Sequence, residues 1–380
     1  MEAYQNLAFF LVLALVLLGA AALGLTGRSL RRYGLGATAV MALLLFDGAR
    51  AKLLLLGFFA LQCALCFGYL RLRQKSARRP LLWLFLALSL LPLLLVKLGA
   101  LVPALRPLAF LGVSYMSFRA VQVLIEIYDG RIKALSPLDF SYFLLFFPSI
   151  ASGPIDRYRR FVSDLHRAPD RERYAALAQR GVWQLATGAF YSFALARLIW
   201  QFWLSALPAH GFWASWSYLY GYTFYMFFNF AGYSRMAVGT AYLLDVELPG
   251  NFNAPFLSVD MKDFWSRWHM SLSTWLRDYV YTRFCLAALR GKWFRESRTG
   301  SYLGYFLTMT LMGLWHGLTP GYLVYGLYHG LLMALNEVLD TRWKKFKKLK
   351  KQPAARAVMM LVTFHLFGFG LLIFSGRLFR

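Results

Sequence analysis

The chain has 380 residues, of which 59% are hydrophobic and 16% charged, and its formal net charge is +25. A soluble domain of this size cannot hide that much apolar surface, and soluble proteins carry about a quarter charged residues. A water-soluble globular enzyme is therefore excluded. In a soluble chain so basic a balance would point to nucleic acid, but here Lys and Arg gather in short loops between apolar runs, as in cytoplasmic loops facing anionic headgroups.

Apolar runs long enough for a bilayer core of roughly 30 Å recur along the chain. Spans are expected near 7–25, 35–48, 53–70, 81–98 and 106–127, and then near 178–205, 212–228, 232–245, 264–288, 302–315, 320–339 and 356–375. Some are too short to cross alone, so about eleven crossings are expected. Arg28, Arg31 and Arg32 follow the first span. Arg71, Arg73, Lys75, Arg78 and Arg79 follow the third, and the run Lys344 to Lys351 precedes the last. The positive charge lies after Leu7–Leu25, not before it, which argues against a cleavable signal and for an N-terminus outside the cell.

Two stretches break the pattern. Residues 138–153 are apolar but short and end Pro148-Ser149-Ile150-Ala151-Ser152-Gly153-Pro154. Prolines there cannot finish a regular helix, so a re-entrant segment is expected, beside a protein-lined or wet cavity. Residues 156–180 mix Arg, Asp and Glu with Leu, Tyr and Phe and read as an amphipathic interfacial stretch. No repeat and no second soluble domain is apparent. The expectation is an all-α polytopic membrane protein of one domain, 1–380. It comprises N-terminal helices (1–130), a core (131–340), and a basic loop with the last helix (341–380).

Chemistry at membrane depth is sought first among ionisable residues, which are expensive there. His166 and His210 lie in polar segments and read as solvated. His365 and His329 sit in apolar helices and read as packing groups. His316, in Leu314-Trp315-His316-Gly317, lies where a helix breaks before Thr319-Pro320-Gly321. A neutral imidazole there can take a proton from a hydroxyl, or can simply tie two helices together. The residues alone leave these two readings even. His269 follows Arg267 and Trp268 on an expected helix that also carries Arg277 and Asp278, with Arg267 and Asp278 on one face. This polar, aromatic-rich helix reads as a tunnel wall or as an interfacial aromatic belt.

The three cysteines, Cys63, Cys66 and Cys285, form no disulfide framework, and the apolar setting of Cys63 and Cys66 argues for buried packing. No zinc-type histidine spacing, nucleotide glycine loop or G-x-S-x-G elbow occurs, so no metal is expected.

Four stretches together resemble the membrane-bound O-acyltransferase (MBOAT) family. They are Phe146-Phe147-Pro148 through Asp156-Arg157-Tyr158, Asn229-Phe230-Ala231-Gly232-Tyr233-Ser234, Asn251-Phe252-Asn253-Ala254-Pro255-Phe256 with Phe264 to His269, and Met312 to Gly317. Ser152-Gly153-Pro154-Ile155-Asp156-Arg157-Tyr158-Arg159-Arg160-Phe161, with Tyr325 to Gly330, is similar to the D-alanyl-transfer (DltB-type) branch of that family. The resemblance implies helices ringing a thin centre with a tunnel and an outward funnel. It implies that His316 is the catalytic histidine and His269 a second one nearer the cytosol, with Trp315, Arg267, Trp268 and Asn251 along the tunnel. It implies no resident cofactor. The D-alanine donor would be a thioester on the phosphopantetheine arm of a DltC-like acidic carrier protein, docking near Arg157, Tyr158, Arg159 and Arg160. A DltD-like extracellular partner and lipoteichoic acid would follow, in the cell membrane of a Gram-positive bacterium. Two alternatives stay beside this one: O-acetylation of an exported polysaccharide, as in alginate-type members, and a transporter or flippase with histidine relays.

Overall fold

The structure is a computed structural model, and it describes residues 7–379. The N-terminal end, expected outside the cell, lies beyond the described residues. The chain divides into two compact units. The first comprises the residues up to Ala189 together with Tyr233–Pro249, and the second comprises Phe190–Gly232 and Gly250–Arg380. Among the described residues the fold is helical, and the sole β pairing is an isolated antiparallel bridge between Phe252 and Trp268.

The first unit opens with α1 (Leu7–Leu25), α2 (Arg31–Leu45), α3 (Gly48–Lys75) and α4 (Arg79–Leu98). A 3-10 turn at Pro103–Leu108 precedes α5 (Val113–Tyr128), so the expected span from 106 starts later than its hydropathy suggests. Pro107 and the left-handed Gly112 (φ 78°) explain the delay. α5 carries a polar stripe with helical spacing on an otherwise buried helix. Arg119 donates to the carbonyls of Phe143 and Leu144 (both 3.0 Å) and of Ser149 (2.6 Å). Gln122 donates to the Asp156 carbonyl (2.7 Å), and Glu126 accepts from Arg159 (3.1 Å).

That stripe accounts for the irregular stretch 138–153. It folds as a short α6 (Pro137–Leu145) and a 3-10 turn at Phe147–Ser149. The carbonyls that the broken helix leaves free are taken up by Arg119, which is 1% exposed. The expected amphipathic stretch resolves into α7 (Tyr158–Leu165) and α8 (Arg171–Ala189).

In the second unit, π-helical turns at Phe190–Leu195 and Trp200–Leu204 flank α9 (Ala196–Ile199). α10 (Phe212–Leu243), which begins in the second unit and ends in the first, is one helix where two spans were expected. Gly232 alone costs about 1 kcal/mol in a helix interior, too little to break a long apolar run.

The expected span 264–288 is corrected more strongly. It is α11 (Met261–Arg267), α12 (Met270–Leu276), a π turn at Arg277–Tyr281, and α13 (Thr282–Arg290). Arg267 and Asp278 therefore share no helix face. Arg267 pairs with Asp263 (2.7 Å) and Asp278 with Arg277 (3.0 Å).

α14 (Ser297–His316) and α15 (Pro320–Arg342) form a tight antiparallel hairpin, followed by α16 (Lys344–Leu349) and α17 (Pro353–Phe374). A Cβ on Gly313 would fall 2.6 Å from Gly326 Cα and 2.5 Å from the Tyr322 carbonyl oxygen, so the hairpin depends on bare glycines there. By length and composition, Ala8–Leu25, α3, α4 and α17 are each able to cross a membrane.

Candidate active site

His316 is the last residue of α14, and the hairpin turn fixes where it stands. Gly317 ends the helix in an extended conformation, and a side chain on it would run into the Tyr322 ring. The imidazole is half-buried inside an aromatic wall. Ring centroids of Trp315, Phe374, Tyr322 and Tyr325 lie 4.6, 5.0, 6.1 and 6.1 Å away. Three of those four come from outside α14. The proline after the turn signalled the helix break, but Tyr322, Tyr325 and Phe374 reach the site only through the packing of α15 and α17. Sequence reasoning missed them.

The loop 250–260 builds the second part. Phe252 and Trp268 pair as an isolated bridge, with the Asn253 amide donating to the Arg267 carbonyl (3.0 Å) and the Met270 amide to the Asn251 carbonyl (3.0 Å). This pairing holds His269 in a left-handed conformation (φ 46°, ψ 48°), which costs energy for a residue with a side chain. The Oδ1 of Asn251 accepts from the Ser271 amide (3.2 Å) and hydroxyl (2.6 Å), capping the start of α12 from another segment. His269 is 4% exposed and meets Phe230 edge to face at 4.7 Å. His316 lies near enough that the two imidazoles interact electrostatically. Asn251 Nδ2, His269 Nδ1 and Trp265 Nε1 are buried without a hydrogen-bond partner among the described residues.

The other expected tunnel residues divide. Trp268 is buried against Phe252 (5.0 Å) and Phe367 (4.7 Å) beside His269. Arg267 is turned to Asp263 and the Asn253 carbonyl, bracing the loop. The expected docking segment lies in the first unit. There Tyr158 is buried against Phe140 and Phe143, and Arg160 is held between Asp156 and Asp164. Arg159 is exposed and Arg157 half-exposed.

Among the remaining histidines, His166 is half-exposed but bonds Asp139 (2.8 Å). His365 bonds Tyr220 (2.9 Å) and the Leu361 carbonyl (2.7 Å), as a packing histidine should. His329 is fully buried beside Trp265 and Tyr325, with neither ring nitrogen bonded among the described residues. No metal-ligating cluster occurs among the described residues.

The arrangement suits proton transfer next to an apolar wall. A half-buried imidazole at a helix end is reachable, and aromatic walls hold water away from a reacting carbonyl.

Comparison with known proteins bears on this site. Residues 80–375 match the family model described as MBOAT, membrane-bound O-acyltransferase family. A teichoic acid D-alanyltransferase of Bacillus subtilis is 39% identical, with 100% of this chain and 99% of that protein aligned. A teichoic acid D-alanyltransferase of Lacticaseibacillus rhamnosus is 36% identical over 100% of this chain and 98% of its own length. A probable alginate O-acetylase of Pseudomonas aeruginosa is 34% identical, but over 60% of this chain and 43% of its own length.

Proposed function

For this chain, which belongs to the membrane-bound O-acyltransferase family and is an acyltransferase, we propose D-alanyl transfer toward teichoic acid hydroxyls. The donor is a D-alanyl thioester on the phosphopantetheine arm of a cytosolic carrier protein, and the D-alanyl group crosses the membrane in the course of transfer. What supports the reading is the half-buried His316 in its aromatic wall, in a chain that aligns end to end with two D-alanyltransferases. The acetyl alternative rests on relatives that share only part of the chain.

His316 accepts the proton of the acceptor hydroxyl as that oxygen attacks the thioester carbonyl carbon. The carbon–sulfur bond breaks, and the departing thiolate takes the proton back from the imidazolium. Trp315, Tyr322, Tyr325 and Phe374 line the approach to His316 and exclude water that would hydrolyse the thioester. The slender, uncharged end of a pantetheine arm suits such a wall. His269, braced by the Asn251 loop, sits on the donor side and holds its shape. Arg157 and Arg159 are the outward members of the carrier-docking segment, and the net charge of +25 favours an acidic carrier. The setting is a bacterial cell membrane, with an extracellular partner passing D-alanine on to lipoteichoic acid.

The test is transfer by the purified, reconstituted protein from D-alanyl-loaded carrier. His316→Gln should lower D-alanyl ester formation by roughly 10²–10⁴-fold, while carrier binding and thermal unfolding stay as in the parent. Undiminished transfer sinks the assignment of His316. Transfer of acetyl but not D-alanyl groups by the parent protein sinks the donor.

A further inference from the structure

The segment between α15 and α17 has a sidedness that acyl transfer does not use. At 100° per residue, Lys344, Lys345, Lys347, Lys348 and Lys351 fall on one face of the helical strap, and Trp343, Phe346, Leu349 and Lys350 on the other. All five lysines of the first face are exposed, and none pairs with a carboxylate among the described residues.

The opposite face is tied down. The rings of Trp343 and Phe346 stack at 6.1 Å and 13°. Lys350 Nζ sits 4.6 Å from the Phe346 centroid and pairs with Asp260 (2.5 Å) and Asp340 (2.6 Å). Burial disfavours the Lys350 ammonium, but its hydrogen bonds to Asp260 and Asp340 outweigh this and raise its pKa above the usual lysine value. The strap is therefore keyed in one rotation, with its lysines turned outward.

Its place along the chain says what those lysines meet. Only Gln352 separates Lys351 from Pro353, the first residue of the apolar span α17. Even Lys344 is nine residues away, about 14 Å at helical rise. The nearer lysines are within about a Debye length, 8–10 Å, of the membrane surface where α17 enters. Trp343, 47% exposed, is of the type that anchors at the headgroup level.

We propose that Trp343–Lys351 is a binding site for anionic lipid headgroups, with the outward lysines holding the phosphates and Trp343 seated at the interface. Chemistry and position together favour lipid over an acidic protein, because the lysines are pinned beside a membrane helix and a half-exposed Trp accompanies them.

The experiment needs no acyl donor. The full-length protein is reconstituted in phosphatidylcholine nanodiscs containing a minor fraction of phosphatidylglycerol, then extracted, and its retained lipids are weighed by native mass spectrometry. The parent protein should retain phosphatidylglycerol at least roughly tenfold above its share, since each juxtamembrane lysine is worth about 1 kcal/mol. Replacing Lys344, Lys345, Lys347, Lys348 and Lys351 together by Gln should remove the enrichment, and replacing them by Arg should keep it. No enrichment in the parent overturns the proposal, whatever the variants do. Enrichment that survives the Gln replacements also overturns it, as does loss of binding to an acidic carrier protein with lipid enrichment intact, which would assign the strap to a protein partner.

Discussion

Two polar stretches interrupt this apolar chain, and they treat their polar groups in opposite ways. In the first unit, the segment from Asp156 to Arg167 matches each buried carboxylate with a guanidinium. Arg160 bridges Asp156 and Asp164, Arg167 joins Asp164 (2.5 Å) and Glu247 (2.7 Å), and the Glu247 amide donates to Asp164 (2.9 Å). In the second unit, the loop around Asn251 and His269 leaves Asn251 Nδ2, His269 Nδ1 and Trp265 Nε1 buried and unbonded among the described residues. An unsatisfied buried donor or acceptor costs about 1–3 kcal/mol, so such groups persist where a substrate or ordered water completes them. Under the proposed function the charged stretch is scaffold, and the sparsely charged one carries the chemistry.

The largest test of that contrast is Arg160→Ala. It leaves the Asp156 carboxylate, 3% exposed, without its guanidinium, while Asp164 keeps Arg167; Arg160 itself is 33% exposed. Removing one partner of a buried pair costs about 3–5 kcal/mol, and partial exposure of the arginine trims this to about 3 kcal/mol. Thermal unfolding in detergent should report that loss. A large loss of transfer in Arg160→Ala with stability intact would break the contrast.

Gly313→Ala comes next. The added Cβ meets backbone atoms of Tyr322 and Gly326, which cannot step aside as a flexible side chain can. Overpacking of this kind costs about 1–3 kcal/mol, and it pushes apart the two helices whose junction holds His316. Transfer should fall more than stability does. Equal stability and full activity would mean that the hairpin is not what positions the histidine.

The difference between the two stretches also explains what the sequence could disclose. The break at His316 was legible because Gly317, Thr319 and Pro320 are local signals. The first helix was legible because Leu7–Leu25 is apolar throughout. The family likeness was legible because its motifs are contiguous. The break at Trp268–His269 was not, because the run 264–288 keeps a helical pattern and contains no proline or glycine. It is imposed by strand-like pairing with residues 251–253, a contact made across intervening chain. For the same reason the expected Arg267–Asp278 face dissolved. In the arginine segment the charges were plain, but their pairing was not, so Tyr158 read as surface when it is buried, and Arg160 read as free when it is held between two carboxylates. Arg119 was passed over as one charge in an apolar span, although it takes up the carbonyls that make the 138–153 stretch possible.

Asn251→Ala sharpens the second half of the contrast. It removes the cap on α12 and leaves the Ser271 amide without that acceptor. Loss of a cap costs about 1 kcal/mol, a small fall in thermal stability. The left-handed His269 depends on the same loop, so transfer should fall about tenfold or more, with the loss in kcat. A fall confined to KM would place Asn251 in donor binding instead of in holding His269.

The smallest effect is the most diagnostic of scaffold. The hydrogen bond from Arg167 holds the Glu247 carboxyl below the usual glutamate value, and Arg167 is correspondingly raised above its own. A carboxyl whose folded value lies below its unfolded one stabilises the protein fully above the unfolded value and loses that contribution as pH falls through the folded one. Both side chains are more than a third exposed or close to it, at 38% for Glu247 and 34% for Arg167, and pairs so exposed are worth about 0–1 kcal/mol. Glu247→Gln should therefore lower the unfolding temperature at pH 7 by at most about 2 °C. The parent and variant curves should converge as the pH drops below about 4. Transfer at pH 7 should not change. If transfer falls while the unfolding temperatures stay together, the charged stretch takes part in the reaction, and completeness of its ion pairs would no longer separate scaffold from site.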